Sequence, residues 1–205
     1  EKYQVLLIAD EVATGFGRTG RMFACDHADV CPDIMCLAKG LSAGYMPLAA
    51  TVTTDHIEQA FTGSLQQRRT LYHGHTYTGN ALACAAAVAS IQLFESANLI
   101  QHINQCSQVL AKELDPLRDC PHVIDVRQRG IMVGIELCSS RDNAMSFEYT
   151  AQTGHAICNA MRHKGLIIRP LGDVLVLMPI PAMRIEVLEE MTHILVDTIL
   201  NWPFT

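Results

Sequence analysis

The chain has 205 residues, 49% of them apolar and 18% charged, with 15 Lys and Arg against 21 Asp and Glu for a formal net charge of −6. That much apolar material builds a core and excludes a disordered chain. The acidic balance, with no run of Lys or Arg, offers no footprint for a phosphate backbone, so nucleic acid is not an expected partner.

The first predicted element is the run Tyr3–Ala9 (YQVLLIA). Its nearly unbroken apolar character reads as a strand buried on both faces of a parallel sheet. The chain opens Glu1-Lys2-Tyr3-Gln4, with neither Met nor a secretory leader before that run. It is therefore expected to be part of a longer protein. Ile34–Ala38 and Leu48–Thr53 are the next two strands, and Asp55–Phe61 is a short helix capped near Thr54 or Asp55. A long helix starts at about Asn80 with the small-residue run ALACAAAVA, which permits close approach to a sheet or to a second chain. Ala81–Ala89, the longest wholly apolar stretch, is about half of the ~18 residues a membrane span needs, so no membrane span is expected.

A further helix spans roughly Asn98–Leu117, with Ile100, Ile103, Val109 or Leu110, Leu114 and Leu117 at helical spacing. Beyond Cys120-Pro121 the pattern predicts strands over Val123–Arg127 and Ile131–Leu137 and a helix over Glu148–His163 ended by Gly165. Short strands Leu166–Arg169 and Val174–Met178 flank a turn, and Glu186–Asn201 is a last amphipathic helix. The boundary between a parallel α/β portion and a small α+β portion is placed near residues 115–122.

Eight Cys are scattered along the chain, most within apolar or helical stretches, which suits reduced thiols in a cytoplasmic protein. Cys25, His27, Cys31 and Cys36 lie close in sequence, but without a C-x-x-C knuckle they are not assigned a metal.

Four features carry candidate chemistry. Asp10 and Glu11 close the first strand, where α/β folds place ligands; for Asp10 alone a loop turn or helix cap is the plainer reading. Lys39 follows a buried apolar run and precedes Gly40-Leu41-Ser42-Ala43-Gly44. Partial burial there would lower its pKa and suit Schiff-base chemistry; the alternative is a stem lying on apolar surface with the ammonium in water. Tyr72–Asn80 combines Gly, hydroxyls and a helix start, the physics of a phosphate cup, although a capped helix start accounts for the same residues. Arg169 stands before Pro170, where a guanidinium suits bidentate capture of a carboxylate; a surface arginine in a hairpin is the plainer reading.

Together these residues resemble one family. The run Ala9-Asp10-Glu11-Val12-Ala13-Thr14-Gly15-Phe16-Gly17-Arg18-Thr19-Gly20, continued by Pro32-Asp33-Ile34 and Leu37-Ala38-Lys39-Gly40-Leu41, is similar to the signature of the class III aminotransferases. The resemblance covers about the C-terminal half of a family member. It implies an α/β fold, part of the type I pyridoxal-phosphate-dependent transferase large domain over residues 1–117, with a mostly parallel sheet, helices and a connecting helix. A small C-terminal α+β domain would follow over 118–205.

The implied cofactor is pyridoxal 5'-phosphate. Asp10 would pair with the pyridine nitrogen, Val12 would pack on the ring, and Lys39 would hold the cofactor covalently and move the substrate proton. Gly74, His75 and Thr76 would bind the phosphate, in this family that of the partner subunit of a homodimer with shared sites. Arg169 would hold a substrate carboxylate. The segments Met46–Thr54, Leu71–Ser90 and Ile168–Pro179 look like the subgroup that takes S-adenosylmethionine as amino donor and 8-amino-7-oxononanoate as acceptor in biotin synthesis. Ornithine, acetylornithine or 4-aminobutyrate transamination, an aminomutase, and a non-catalytic piece without cofactor remain the alternatives.

Overall fold

The computed structural model describes residues 3–204. The chain forms two compact units, residues 1–99 and 100–205.

The first unit is built on a three-stranded sheet in the order β1 (Ile8–Asp10), β2 (Ile34–Leu37), β3 (Ala50–Thr53). β1 and β2 are parallel, with Ile8 opposite Ile34, Ala9 opposite Met35 and Asp10 opposite Cys36. β3 runs antiparallel on the other edge of β2. Asp33 fixes the entry: its carboxylate accepts the Leu7 amide at 2.8 Å while its own amide donates to the Leu7 carbonyl at 3.0 Å.

The predicted seven-residue strand Tyr3–Ala9 is shorter in the structure, and it is not buried. Tyr3, Val5, Leu6, Leu7 and Ile8 are all exposed. A strand buried on both faces lies inside a sheet whose two faces are covered, and among the described residues β1 is an edge strand paired with β2 alone.

Helix α1 (Asp55–Phe61) falls where the sequence places it, after the cap residue Thr54. The Thr54 hydroxyl makes no capping bond, and it is buried without a hydrogen-bond partner. Helix α2 (Ala81–Ser96) is capped by Asn80, whose side-chain oxygen accepts the Ala83 amide at 3.0 Å. Ala83, Ala87 and Ser90 recur at helical spacing and are its buried face, which packs on the turn Lys39–Ser42. Phe16, Leu37, Leu41 and Ala87 form the core of this unit, with Met22, Phe23, Met35, Leu48, Ala50 and Phe94 around them.

The second unit is a four-stranded antiparallel sheet in the order β4 (Val123–Arg129), β5 (Met132–Leu137), β7 (Val174–Leu177), β6 (Arg169–Leu171). It also contains α3 (Leu99–Glu113), α4 (Thr153–His163) and α5 (Ile185–Leu200). Val126, Val133, Ile135, Leu175 and Leu177 on alternate strand positions are buried together with Ile103, Leu110, Ile157, Met161, Leu188 and Leu195 from the helices, all of them core side chains of this unit.

Three predicted boundaries shift, each for a local reason. Helix α3 stops at Glu113 instead of Leu117, because Pro116 forces the next residues into a 3-10 turn, Asp115–Asp119. Helix α4 starts at Thr153 instead of Glu148, because Gln152 is left-handed (φ 47°) and closes a separate turn, Tyr149–Ala151. The strand expected at Leu166–Arg169 lies at Arg169–Leu171, because the Leu166 amide is engaged in ending α4 on the Met161 carbonyl at 3.0 Å beside Gly165 (φ 96°). Pro170 fits in β6 because that strand is an edge.

All eight cysteines are free thiols. No single helix among the described residues is long and apolar enough to cross a membrane.

Candidate active site

Parallel strands present ligands at their carboxyl ends, outside the sheet. At that end of β1 and β2 the ladder runs one residue beyond Asp10, with the Glu11 amide donating to the Cys36 carbonyl at 3.0 Å. Asp10 is therefore fixed beside Cys36, and Lys39 follows three residues later on the same strand end. Asp10 is exposed, and one carboxylate oxygen accepts the Val12 amide at 3.0 Å. This Asx-type turn orients both the carboxylate and half-buried Val12.

Lys39 opens the 3-10 turn Lys39–Ser42 with φ 45°, a left-handed conformation that residues with a Cβ seldom adopt. It is exposed, so the partial burial expected from the sequence is absent. Its neighbour Gly40 is required by a close approach: a Cβ there would lie 2.7 Å from Phe16 Cβ.

Glu11 closes the first strand beside Asp10, and the sequence alone assigns it no role. It is 2% exposed, and its carboxylate accepts the Cys25 amide at 2.8 Å and the Thr14 hydroxyl. Burial pushes its carboxyl up, but the Thr14 hydroxyl and the Cys25 and Ala24 amides outweigh burial and hold it below the ordinary Glu value. Glu11 thus ties both ends of the glycine-rich loop to the tip of β1. The loop is closed further by the His27 ring on the Thr19 carbonyl at 3.0 Å and by the Gly20 amide on the Gly17 carbonyl at 2.8 Å. Cys25 and His27 therefore serve the loop. Among the described residues no group of three or more His, Cys, Asp or Glu is placed to hold a metal. The signal for Glu11 was available: an acidic residue directly after Asp10, inside an otherwise apolar and glycine-rich run.

The segment holding Gly74, His75 and Thr76 is exposed throughout. The His75 amide donates to the Thr78 hydroxyl at 3.1 Å and the Tyr77 amide to His75 Nδ1 at 3.1 Å, so two of its donors are engaged within the loop. Gly74 has open space, the nearest atom to an added Cβ being Thr78 Oγ1 at 3.8 Å. Arg169 belongs to the second unit. It is exposed, opens β6 and lies opposite Val176, in a cross-strand row that continues through Gly134 to Arg127. Arg127 is paired with Asp125 at 3.1 Å and with Glu136.

The donor set fits pyridoxal 5'-phosphate at the strand tips. Asp10 offers a carboxylate for a pyridinium and Lys39 an amine for an aldehyde, from adjacent strands held in register. The structure thus groups Asp10, Val12 and Lys39, while Gly74, His75 and Thr76 share a separate loop and Arg169 lies in the other unit.

Comparison with known proteins agrees with this chemistry. The family model described as aminotransferase class-III matches residues 1–199. An adenosylmethionine-8-amino-7-oxononanoate aminotransferase of Nitratidesulfovibrio vulgaris is 48% identical over 193 residues, which is 94% of this chain and 36% of that protein. The enzyme of the same name from Anoxybacillus flavithermus is 48% identical over 98% of this chain and 44% of its own length. Among solved structures, the Methanocaldococcus jannaschii enzyme of that name superimposes with a TM-score of 0.89 at 42% identity, over 96% of this chain and 47% of that one. A Bacillus anthracis aminotransferase gives a TM-score of 0.89 at 33% identity, over 97% of this chain and 45% of its own. The chain spans less than half the length of these relatives. The signature loop, the paired strand tips and the family match over nearly the whole sequence lead to one conclusion: the chain belongs to the class-III aminotransferases.

Proposed function

We propose that this chain is the C-terminal part of an enzyme that moves an amino group from S-adenosylmethionine to 8-amino-7-oxononanoate in biotin synthesis, with pyridoxal 5'-phosphate as cofactor. The observation that carries the chemistry is the register of β1 and β2, which sets Asp10 and Lys39 at neighbouring strand tips. The substrates rest on the relatives, which carry these two compounds in their name at 48% identity.

The bound cofactor supplies an electron sink for the pair released when a substrate Cα–H breaks. Asp10 keeps the ring nitrogen protonated through a charge-assisted hydrogen bond. Val12 packs on one ring face. Lys39 would hold the cofactor through its aldehyde carbon and, once released from it, would serve as the base that carries the proton between substrate Cα and cofactor C4′. Gly74, His75 and Thr76 hold the phosphate of a partner subunit in a homodimer, displacing the bonds that the loop makes to itself. Arg169 holds the carboxylate of the amino acceptor. Residues 1–117 serve as part of the cofactor-binding domain with its connecting helix, and 118–205 as the small domain, in a cytoplasmic protein.

Alone, the chain is expected to be inactive. The outer edge of β1 has no strand on it among the described residues, and Tyr3 and Val5 are 76% and 72% exposed. A family-length version loaded with the cofactor should absorb near ~420 nm, and lose the band to borohydride and to Lys39→Ala. Its first half-reaction should run with S-adenosylmethionine and not with ornithine or 4-aminobutyrate. Faster reaction with ornithine would refute the substrate assignment. Normal turnover by the 205-residue chain alone would refute its incompleteness.

A further inference from the structure

Lys39 is one of nine described non-glycine residues with positive φ, at 45°. Such a conformation persists only where the surroundings over-determine it. The turn itself supplies two bonds, Leu41 amide to Ala38 carbonyl at 3.0 Å and Ala43 amide to Gly40 carbonyl at 3.1 Å. Two further constraints come from outside the turn, and both fall on Gly40.

On one side lies Phe16, 3% exposed, whose Cβ and Cδ2 would stand 2.7 and 3.0 Å from any Cβ on Gly40. Phe16 is itself wedged, edge-on to Phe23 with ring centroids 5.7 Å apart and tilted against Phe94 at 6.4 Å. On the other side Ser90, 6% exposed in the middle of α2, donates its hydroxyl to the Gly40 carbonyl at 3.2 Å across fifty positions of sequence. A serine inside a helix commonly returns its hydroxyl to its own preceding turn. Ser90 directs it to the lysine turn instead.

We infer that Ser90 and Phe16 are positioning residues for Lys39: by gripping Gly40 from two sides they fix one end of the lysine, while β2 fixes the other, so that the lysine backbone absorbs the turn. The left-handed Lys39 follows from this clamp. The inference rests on the reading of Lys39 as the cofactor-binding lysine. Loosening the clamp lets Lys39 relax toward ordinary φ, so the amine is presented to the cofactor in several orientations instead of one. The covalent linkage then weakens although neither residue touches the cofactor.

The test uses the family-length protein, stripped of cofactor and titrated with pyridoxal 5'-phosphate. Borohydride-reducible linkage at Lys39 is quantified by absorbance and peptide mapping, and the melting midpoint of the cofactor-free protein is measured in parallel. Ser90→Ala should weaken the linkage about five- to tenfold, the effect of one hydrogen bond. Ser90→Thr keeps the hydroxyl and should stay within about twofold, and Ser90→Cys, a poor donor of similar size, should behave like the alanine variant. The cofactor-free midpoint should move by no more than a few degrees. Wild-type linkage in both Ser90→Ala and Ser90→Cys overturns the clamp. Equal weakening in the Ala and Thr variants also overturns it, because packing and not the hydroxyl would then be responsible. If the wild-type protein itself reduces onto another lysine, the cofactor-lysine reading fails first and takes this inference with it.

Discussion

Asp10 lies opposite Cys36 in the parallel pair β1–β2, and that register brings a carboxylate to the strand tip from which Lys39 departs three residues later. The ladder continues through the Glu11 amide, so the Asp10 backbone is set by strand hydrogen bonds, and the Val12 amide at 3.0 Å orients its carboxylate. Asp10→Asn removes the charge and keeps the shape. In a family-length enzyme it should lower the rate of the amino-donor half-reaction by several orders of magnitude, while the reducible linkage to Lys39 still forms. Stopped-flow absorbance separates the two steps. A near-normal half-reaction rate would remove Asp10 from the proposed role.

Glu11 sets a pH dependence whose sign follows from its environment. Its carboxyl titrates below the ordinary Glu value in the folded chain. A depressed folded pKa contributes stability that is present above the unfolded value of about 4.3 and is lost as pH falls through the folded value. Glu11→Gln should cost about 1–3 kcal/mol near neutral pH, since the buried acceptor loses its charge. The difference from wild type should shrink on acidification below pH ~4. Urea denaturation at a series of pH values measures it, and a penalty that grows in acid would contradict the assignment.

Gly154, at the start of α4, has no room for a side chain. A Cβ there would lie 2.5 Å from the Gly172 carbonyl and 3.1 Å from Pro170 Cβ. The first of these is backbone, in the turn between β6 and β7, and cannot rotate away. Gly154→Ala should destabilise by about 1–3 kcal/mol or more through overpacking. Because β6 carries Arg169, the variant should also raise KM for the carboxylate-bearing acceptor. Thermal unfolding and steady-state kinetics give the two readouts.

Arg169 itself is tested by the split between half-reactions. Arg169→Ala should raise KM for 8-amino-7-oxononanoate by roughly ten- to a hundredfold, as expected for losing a charge-assisted hydrogen-bonded pair. Arg169→Lys should recover only part of this, because an ammonium cannot make the bidentate fork. Equal losses with a donor that lacks the acceptor's distal carboxylate would point to a structural role instead.

Much of this fold was legible in the sequence where local signals and burial agree. β2, β3, α1 and α2 fall within a residue or two of their expected bounds, because each pairs an apolar pattern with a cap or a glycine turn. The apolar run Tyr3–Ala9 suggests a longer buried strand than the structure shows, because such burial requires neighbours absent among the described residues. Leu166 reads as a strand residue in the sequence because apolar character cannot distinguish a strand from the residue that closes a helix. At the site, Asp10 and Lys39 stand out in the sequence by their places at strand ends, and their roles come from the family resemblance. The roles of Glu11, Phe16 and Ser90 are not legible there, because they depend on partners distant in sequence: Cys25 for Glu11, and Gly40 for both Phe16 and Ser90. The exposure of Lys39 was likewise invisible to a reading based on its apolar flanks.

The most direct test is chemical. The family-length protein is loaded with pyridoxal 5'-phosphate, reduced with borohydride and digested, and the peptide bearing the cofactor is identified by mass spectrometry. The account requires the label on Lys39, and its loss in Lys39→Ala. Label on Lys2, Lys112 or Lys164, or none at all, would contradict it.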